Sequence, residues 1–400
     1  MRKLLAVIVM TFSVFGVCAQ KKEIAIAKDW VKKGTNLVKA EQMMTGLLGD
    51  SVNRANVKIW TVLFDAIKKQ YDQGNERLYL RQPYDTAELF VLGKKMFTTL
   101  EGLDSLDSKP DRKGRIRPKM RDKHAELLND YRANLFNGGM FFINRHDYGA
   151  AYDFFHTYLD CANQPLFVRY RYAETDRQMP QAAYWAVYCG YKLKNPKATL
   201  RHTYLALKDT AHYNYMLQYL AETYRIEKDT ARYVEMLTEG FEKYPKFPFF
   251  FPRLITYYSE KGEMKEAMKV ADRALAVDST SVIFRFAKSS LLLNVGHYAE
   301  CIRLCDELIA VNDSLADAYL NAGLAYFNQG IELDKSTAAS SKRRQAVQAY
   351  YRQALPYLQK YRALAPDQRN KWGIPLYTIY LNLNMGKEFD EIDRMLKTNR

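Results

Sequence analysis

After its first twenty residues the chain has no apolar run of eighteen or more, so nothing in it beyond that point predicts a transmembrane helix. Helix breakers are also scarce. Only 19 Gly and 12 Pro occur in 400 residues, which leaves long stretches free to be helical. No GxSxG, no phosphate-cradling GxxxxGK[ST] and no GxGxxG after a strand is present. No RNA- or DNA-binding motif is found either. What is present is a folded-protein composition, with 48% hydrophobic and 26% charged residues. Aromatics are abundant, with 30 Tyr and 20 Phe.

The N-terminus reads as a secretory signal over residues 1–19. Arg2 and Lys3 give the positive start, and Leu4 to Val17 is an apolar run too short to span a bilayer comfortably. Val17-Cys18-Ala19 places small residues three and one before a cut ahead of Gln20. Acylation of Cys18 is the weaker alternative, because Val17 stands where a lipoprotein signal wants a small residue. Removing this segment lowers the net charge from +15 by two, to +13. A basic exported chain is suited to meet anionic lipid, lipopolysaccharide, an acidic glycan or an acidic protein. Export makes nucleic acid an unsuitable partner.

A fixed period dominates the second half. Gly262, Gly296 and Gly330 are each 34 residues apart, and stepping back by 34 gives Lys228 and Lys194. The spacing predicts that Lys194, Lys228, Gly262, Gly296 and Gly330 each fall where the first helix of a unit turns into the second, so that units start near Pro180, Asn214, Pro248, Val282 and Ala316. Tyr224, Tyr258, Leu292 and Tyr326 align near the end of the first helix, and Ala267 with Cys301 in the second. Leu207, Phe241, Leu275 and Ile309 close the second helix. Small residues mark where two antiparallel helices approach closely. The stretch from Ala318 through Ala322-Gly323 to Tyr326 resembles the first helix of a tetratricopeptide repeat (TPR), and Tyr244-Pro245 and Ala365-Pro366 resemble its closing proline. This resemblance implies an all-α, right-handed α-solenoid of helical hairpins, with a concave groove that binds peptides or proteins.

The array is expected over residues 126–400. It includes an outlying unit at about 131–160, an extra segment from Ala162 to Met179, in-register units from residue 180 and a capping hairpin at 369–397. The unit at Val282 is the poorest, with Arg285 and Lys288 in columns that are usually apolar. In the last full unit the second helix, Ala354 to Tyr361, starts about nineteen residues late, after a polar turn and an early helix start between Ser336 and Arg344. Residues 20–125 read as a divergent helical N-terminal region, with helices over Ala27–Leu48, Val52–Tyr71 and Thr86–Leu103. Asp85 and Glu88 form the pattern of a capping box.

Candidates for chemistry are few. Arg112, Lys113, Arg115, Arg117, Lys119 and Arg121 make a basic loop that either grips an acidic partner or anionic headgroups, or is a solvated connection. Cys301 and Cys305 are four apart on one helix, which suits neither a disulfide nor, without a second pair, a metal. They read as buried structural thiols. In an oxidising compartment Cys161 and Cys189 are candidates to pair, and their spacing does not decide it. His146, Asp147, Asp153 and His156 lack HExxH order or a third well-spaced ligand, so no metal or other cofactor is assigned. Tyr170, Tyr172, Tyr184, Trp185, Tyr188, Tyr191, Tyr204, Tyr213, Tyr215 and Tyr219 divide between core and groove.

Seven Asp-Ser/Thr triplets, acceptors Ser51, Thr86, Ser105, Thr210, Thr230, Ser279 and Ser314, resemble the O-glycosylation motif of exported Bacteroidota proteins. Helix capping produces the same pattern. Together these readings imply a non-catalytic exported scaffold for a protein or peptide partner, in the periplasm or at the periplasmic face of the outer membrane. The alternative is a component binding envelope glycan or lipid.

Overall fold

The computed structural model describes residues 20–110, 113–336 and 340–397. Among them there are only helices, turns and connecting segments. No helix there is long and apolar enough to cross a membrane. The fold is all-α, of the TPR solenoid class, and it divides into two packing units at Tyr233/Val234. The proposed signal, Cys18 included, lies outside the described residues.

The first unit opens with α1 (20–33), α2 (Leu37–Leu48), α3 (Val57–Tyr79) and α4 (Thr86–Asp107). The single helix expected over Ala27–Leu48 is therefore two. Gly34 at φ 71° and Asn36 at φ 49° take left-handed conformations that end one helix and start the next. The next helix starts at Val57 rather than Val52 because the Asn56 side chain accepts from Lys58 N–H at 3.1 Å. Asp85 caps α4 as expected, accepting from Ala87 N–H at 2.8 Å, while the Glu88 carboxylate engages the Tyr84 hydroxyl instead of closing a capping box. Then follow α5 (Arg121–Asn144) and α6 (Tyr148–Asp160), the outlying hairpin. Gly138 and Gly139 leave room there for Phe154 and Phe155; an added Cβ would meet those rings at 2.7 and 2.6 Å.

The extra segment is not a loose loop. It forms a 3-10 turn at Pro165–Tyr170 and the short α7 (Tyr172–Thr175). Leu166 and Phe167 plug into the core, with Phe167 6.0 Å from the ring of Phe97. Its fastening is a buried Arg. Arg132 of α5 donates to Asp176 at 2.6 Å and to the Tyr158 carbonyl at 3.2 Å. Its guanidinium lies 3.8 Å from the ring centroids of both Tyr158 and Tyr172. The Tyr158 hydroxyl also donates to Asp176, at 2.6 Å.

The in-register part comprises α8 (Met179–Lys192), α9 (Pro196–Arg201), α10 (Thr203–Ala206), α11 (Tyr213–Ile226) and α12 (Thr230–Lys243), the last spanning the division. The second unit continues with α13 (Phe250–Glu260), α14 (Met264–Val277), α15 (Val282–Asn294), α16 (Tyr298–Val311), α17 (Ala316–Ser336), α18 (Ser341–Leu364), α19 (Arg369–Asn382) and α20 (Gly386–Lys397). First helices thus start within a residue of the expected positions, except α13, which begins two residues after Pro248.

The period has a backbone cause. Lys194, Lys228, Gly262 and Gly296 all have φ between 52° and 81°, the left-handed cap that ends a first helix. After each, the next amide reaches back to a carbonyl five residues earlier: Asn195 to Gly190, Asp229 to Tyr224, Glu263 to Tyr258 and His297 to Leu292, all at 2.9–3.0 Å. This is the six-to-one bond of a Schellman cap, repeated every 34 residues. Two of the four positions carry Lys, whose Cβ is strained there. Lys228→Gly is therefore expected to stabilise the protein by about 0.5–1 kcal/mol, read as a higher urea midpoint with unchanged slope.

Gly330 departs from the expectation. It is not at a turn but inside α17, facing Tyr351 of α18, where an added Cβ would lie 2.7 Å from the ring. The helix runs on because its partner α18 is also long and covers it with Val347 and Tyr351. The early start expected for the second helix is seen at Ser341, capped by the Ser340 hydroxyl. In the poor unit, Phe284 and Leu291 are buried, while Arg285 and Lys288 are half-buried and pair with Glu307 at 3.7 Å and Asp272 at 2.6 Å. Cys301 and Cys305 are buried in α16. Cys161 and Cys189 are buried and free, and burial pushes both thiols up from their usual value, Cys189 to about 12.

Candidate binding surfaces

Two features of the first unit gather functional side chains. The basic run is the first. Arg112 lies outside the described residues. Lys113, Arg115, Arg117 and Lys119 are exposed along a non-helical connection that turns at Gly114, φ 76°. Its far end is pinned, since Asp107 of α4 accepts from the amides of Lys119 and Met120. Arg121 behaves differently from the rest. It opens α5 and binds Asp104 in a two-point ion pair, Nη2 to Oδ2 at 2.8 Å and Nε to Oδ1 at 3.0 Å, with Ser108 as a further acceptor. The Asp104 side chain is only 4% exposed, so this guanidinium serves the fold.

Beside that pair lies a cavity of about 380 Å³ between α3, α4 and α5. Phe64, Leu100, Leu103 and Leu127 wall it, and Asp65, Arg121 and His124 stand at its polar side. Burial holds the His124 imidazole below its usual value, against the opposing charges of Asp104 and Asp107. The residues present offer an apolar recess with charged and titratable side chains on one side.

The second feature is an aromatic face on α8 and α11, the first helices of two successive hairpins. Tyr184 and Tyr219 form a buried floor, and Tyr148, Trp185, Tyr188 and Tyr191 stand half-buried above it. Tyr191 stacks on Tyr219 at 4.5 Å and Tyr184 on His212 at 4.2 Å. Trp185 meets Tyr188 edge-on at 5.6 Å, and Tyr188 meets Tyr148 at 5.9 Å. Lys192 places its ammonium 5.4 Å from the Tyr188 ring centre, and Tyr215 is 41% exposed at the edge. Burial pushes the Tyr188 phenol up to about 12 and Tyr219 further, so these hydroxyls remain neutral donors throughout the physiological range.

No protein-family model matches the chain, and no curated protein does. Solved structures similar to it include repeat proteins. The C-terminal part of a TPR repeat-containing protein from Cytophaga hutchinsonii aligns at 12% identity over 64% of this chain and 92% of that one, with a TM-score of 0.45. A tetratricopeptide repeat protein from Parabacteroides merdae aligns at 14% identity over 66% and 97%, TM-score 0.37. A TPR repeats protein from Bacteroides fragilis aligns at 17% identity over 66% and 98%, TM-score 0.32. The fold assignment rests on this chain's own hairpins and recurring turn.

Sequence-marked tyrosines thus divide three ways. Tyr184, Tyr188, Tyr191, Tyr215 and Tyr219 join Trp185 in one face. Tyr170 and Tyr172 stack at 5.3 Å beside Arg132, and Tyr204 is 81% exposed elsewhere. His212 entered the stack unannounced, as its neighbours in the face come from 28 residues upstream. The glycosylation candidates Ser51, Thr210, Thr230, Ser279 and Ser314 are exposed in turns or at helix starts, and Thr86 is the first residue of α4. Ser105 lies inside α4, donating to the Glu101 carbonyl. The Asp residues of the Ser51, Thr86, Thr210, Thr230 and Ser279 triplets each accept a nearby backbone N–H, as capping chemistry requires.

Proposed function

We propose that this protein is a non-catalytic scaffold that holds a protein or peptide partner on the aromatic face of α8 and α11. The observation that carries the reading is the half-buried quartet Tyr148, Trp185, Tyr188 and Tyr191 over a buried aromatic floor. Tyr and Trp give large contact area at low entropic cost, and a packed floor holds them ready before a partner arrives. A hairpin array supplies a continuous surface for such contacts without needing a catalytic cleft. The pattern of residues 1–19 supports export, and with it a location in the periplasm or on the periplasmic face of the outer membrane as part of this proposal. The exposed Asp-Ser/Thr sites are then available for O-glycosylation.

The test is in-cell cross-linking and mass spectrometry in the native host. Cross-links to one protein, concentrated on α8 and α11, are expected. Trp185→Ala and Tyr188→Ala are each expected to weaken capture at least about tenfold, as anchor residues do. Recovery of glycan or lipid alone would defeat the proposal and favour the second reading, envelope binding through Lys113, Arg115, Arg117 and Lys119, which salt would suppress.

A further inference from the structure

Gln70 is the one amide among the buried side chains of α3, at 8% exposed. It heads a stripe of Gln70, Gln73, Gly74 and Arg77, spaced i, i+3, i+4 and i+7 along one face of the helix. With Lys39 of α2 and with Tyr84 and Glu88 around the start of α4, this stripe lines a cleft of about 440 Å³. We propose that the cleft binds an anionic sugar, a sugar ring carrying a carboxylate or a phosphate.

The orientation of the Gln70 amide is the first argument. Its Nε2 donates to Glu41 Oε2 at 2.8 Å and to the Ala66 carbonyl at 3.3 Å. Glu41 also takes the Lys95 ammonium at 2.5 Å. Both neighbours of the amide are thus acceptors, and its nitrogen must face them. The oxygen is left toward the cleft that Gln70 lines, and it accepts nothing among the described residues. Gln73 repeats the arrangement one turn on. Its Nε2 donates to the Gly34 carbonyl at 3.1 Å, which leaves a second amide oxygen as an acceptor. Two fixed acceptors on one helix face call for two donors, as the hydroxyls of a sugar supply. The second argument is charge. Lys39 and Arg77 are exposed, and among the described residues neither has a carboxylate within ion-pair distance. Against them the lining carries one carboxylate, Glu88, which the Tyr84 hydroxyl engages. Water satisfies amide oxygens too, but it leaves those cations unmatched. The net positive charge favours an anion over a zwitterion such as an amino acid. The third is that the wall is built in advance. Gly74 is buried, and its missing side chain admits the Tyr84 ring, which an added Cβ would meet at 2.6 Å. The cleft therefore keeps its shape before a ligand arrives. It shares no residue with the aromatic face, so it stands apart from the partner reading.

Glucuronate and glucose 6-phosphate, each titrated calorimetrically into the full chain in low-salt buffer at neutral pH, test this, with glucose and glutamate as comparisons. At least one of the two acidic sugars is expected to saturate a single site and to bind at least about tenfold more tightly than glucose or glutamate. Which of them does so tells a carboxylate from a phosphate. Gln70→Met and Arg77→Gln are each expected to weaken binding at least about tenfold, and Lys261→Gln, on the second unit, to leave it unchanged. In the unaltered protein the bound sugar is expected to protect Lys39 from acetic anhydride while Lys261 stays reactive, a readout independent of how the variants fold. Saturation by neither acidic sugar up to about 10 mM, equal binding of glucose or glutamate, binding that survives Arg77→Gln, or an unprotected Lys39 under saturating sugar would each overturn the assignment.

Discussion

Arg132→Ala is expected to destabilise the first unit by about 3–5 kcal/mol, the range for stripping one partner from a buried ion pair. Arg132 is 7% exposed, its guanidinium lies between two tyrosine rings, and Asp176 accepts from it and from Tyr158. Removing it leaves a carboxylate without its cation and a gap between Tyr158 and Tyr172. Urea unfolding followed by tryptophan fluorescence gives the loss. Limited trypsin digestion gives its location, since release of the extra segment opens Arg169, Arg171 and Arg177 to cleavage. An apolar pair, Arg132→Met with Asp176→Leu, is expected to cost less than Arg132→Ala alone, because no charge is left stranded. The pH dependence has a defined sign. Burial would raise the Asp176 carboxyl, but hydrogen bonds from Tyr158, Arg132 and the Gln178 amide outweigh it and hold it below its usual value. Its contribution is therefore present above about pH 4 and lost as pH falls through the depressed value. Asp176→Asn should abolish that part of the acid sensitivity. If Arg132→Ala unfolded within 1 kcal/mol of the unaltered protein, the clamp would have no structural weight.

The second large effect concerns Gly190. An added Cβ would lie 2.5 Å from the backbone nitrogen of Thr199 and 2.8 Å from the carbonyl carbon of Ala198. These are main-chain atoms, and neither helix is free to retreat. The Gly190 carbonyl receives the Asn195 amide at 3.0 Å, and the Asn195 side chain caps α9 through Ala198 N–H at 3.1 Å. Gly190→Ala is thus expected to cost about 2 kcal/mol or more, overpacking exceeding the gain in helix propensity. Gly46→Ala in α2 is the counterpart. Nothing lies within 4 Å of its added Cβ, so it should stabilise by about 0.5–1 kcal/mol. Thermal melts of the two variants should move in opposite directions.

The repeat was legible because one backbone event, the left-handed cap, recurs with the same spacing. A column of Lys194, Lys228, Gly262 and Gly296 looks chemically mixed, yet all four share one conformation. Gly330 misled for the complementary reason. Its lack of a side chain serves close approach to Tyr351 rather than a positive φ, and residue type does not distinguish the two uses. Gly34 hid a break because the apolar spacing continues across it into α2. The aromatic face was partly visible as a run of tyrosines, but its division into floor and rim depends on how α8 and α11 pack. Arg132 with Asp176, and Gln70 with Glu41, lie 44 and 29 positions apart. Pairing at such distances is set by the fold, and local spacing carries no trace of it.

The hairpin α17–α18 bears on how such a chain grows. At 21 and 24 residues its helices exceed the 13 and 14 of the preceding hairpin, α15–α16. At 1.5 Å per residue, α17 is about 12 Å longer than α15. The added turns seal against each other, through Phe327 on Tyr351 at 5.7 Å and Gly330 beneath the same ring. The extra turns also reach the neighbouring layers, where Glu332 of α17 accepts from the Tyr298 hydroxyl of α16 and Gln348 of α18 donates to the Asn382 carbonyl of α19. Lengthening one hairpin thus widens its seams with both flanking hairpins, so this layer is fastened on two sides.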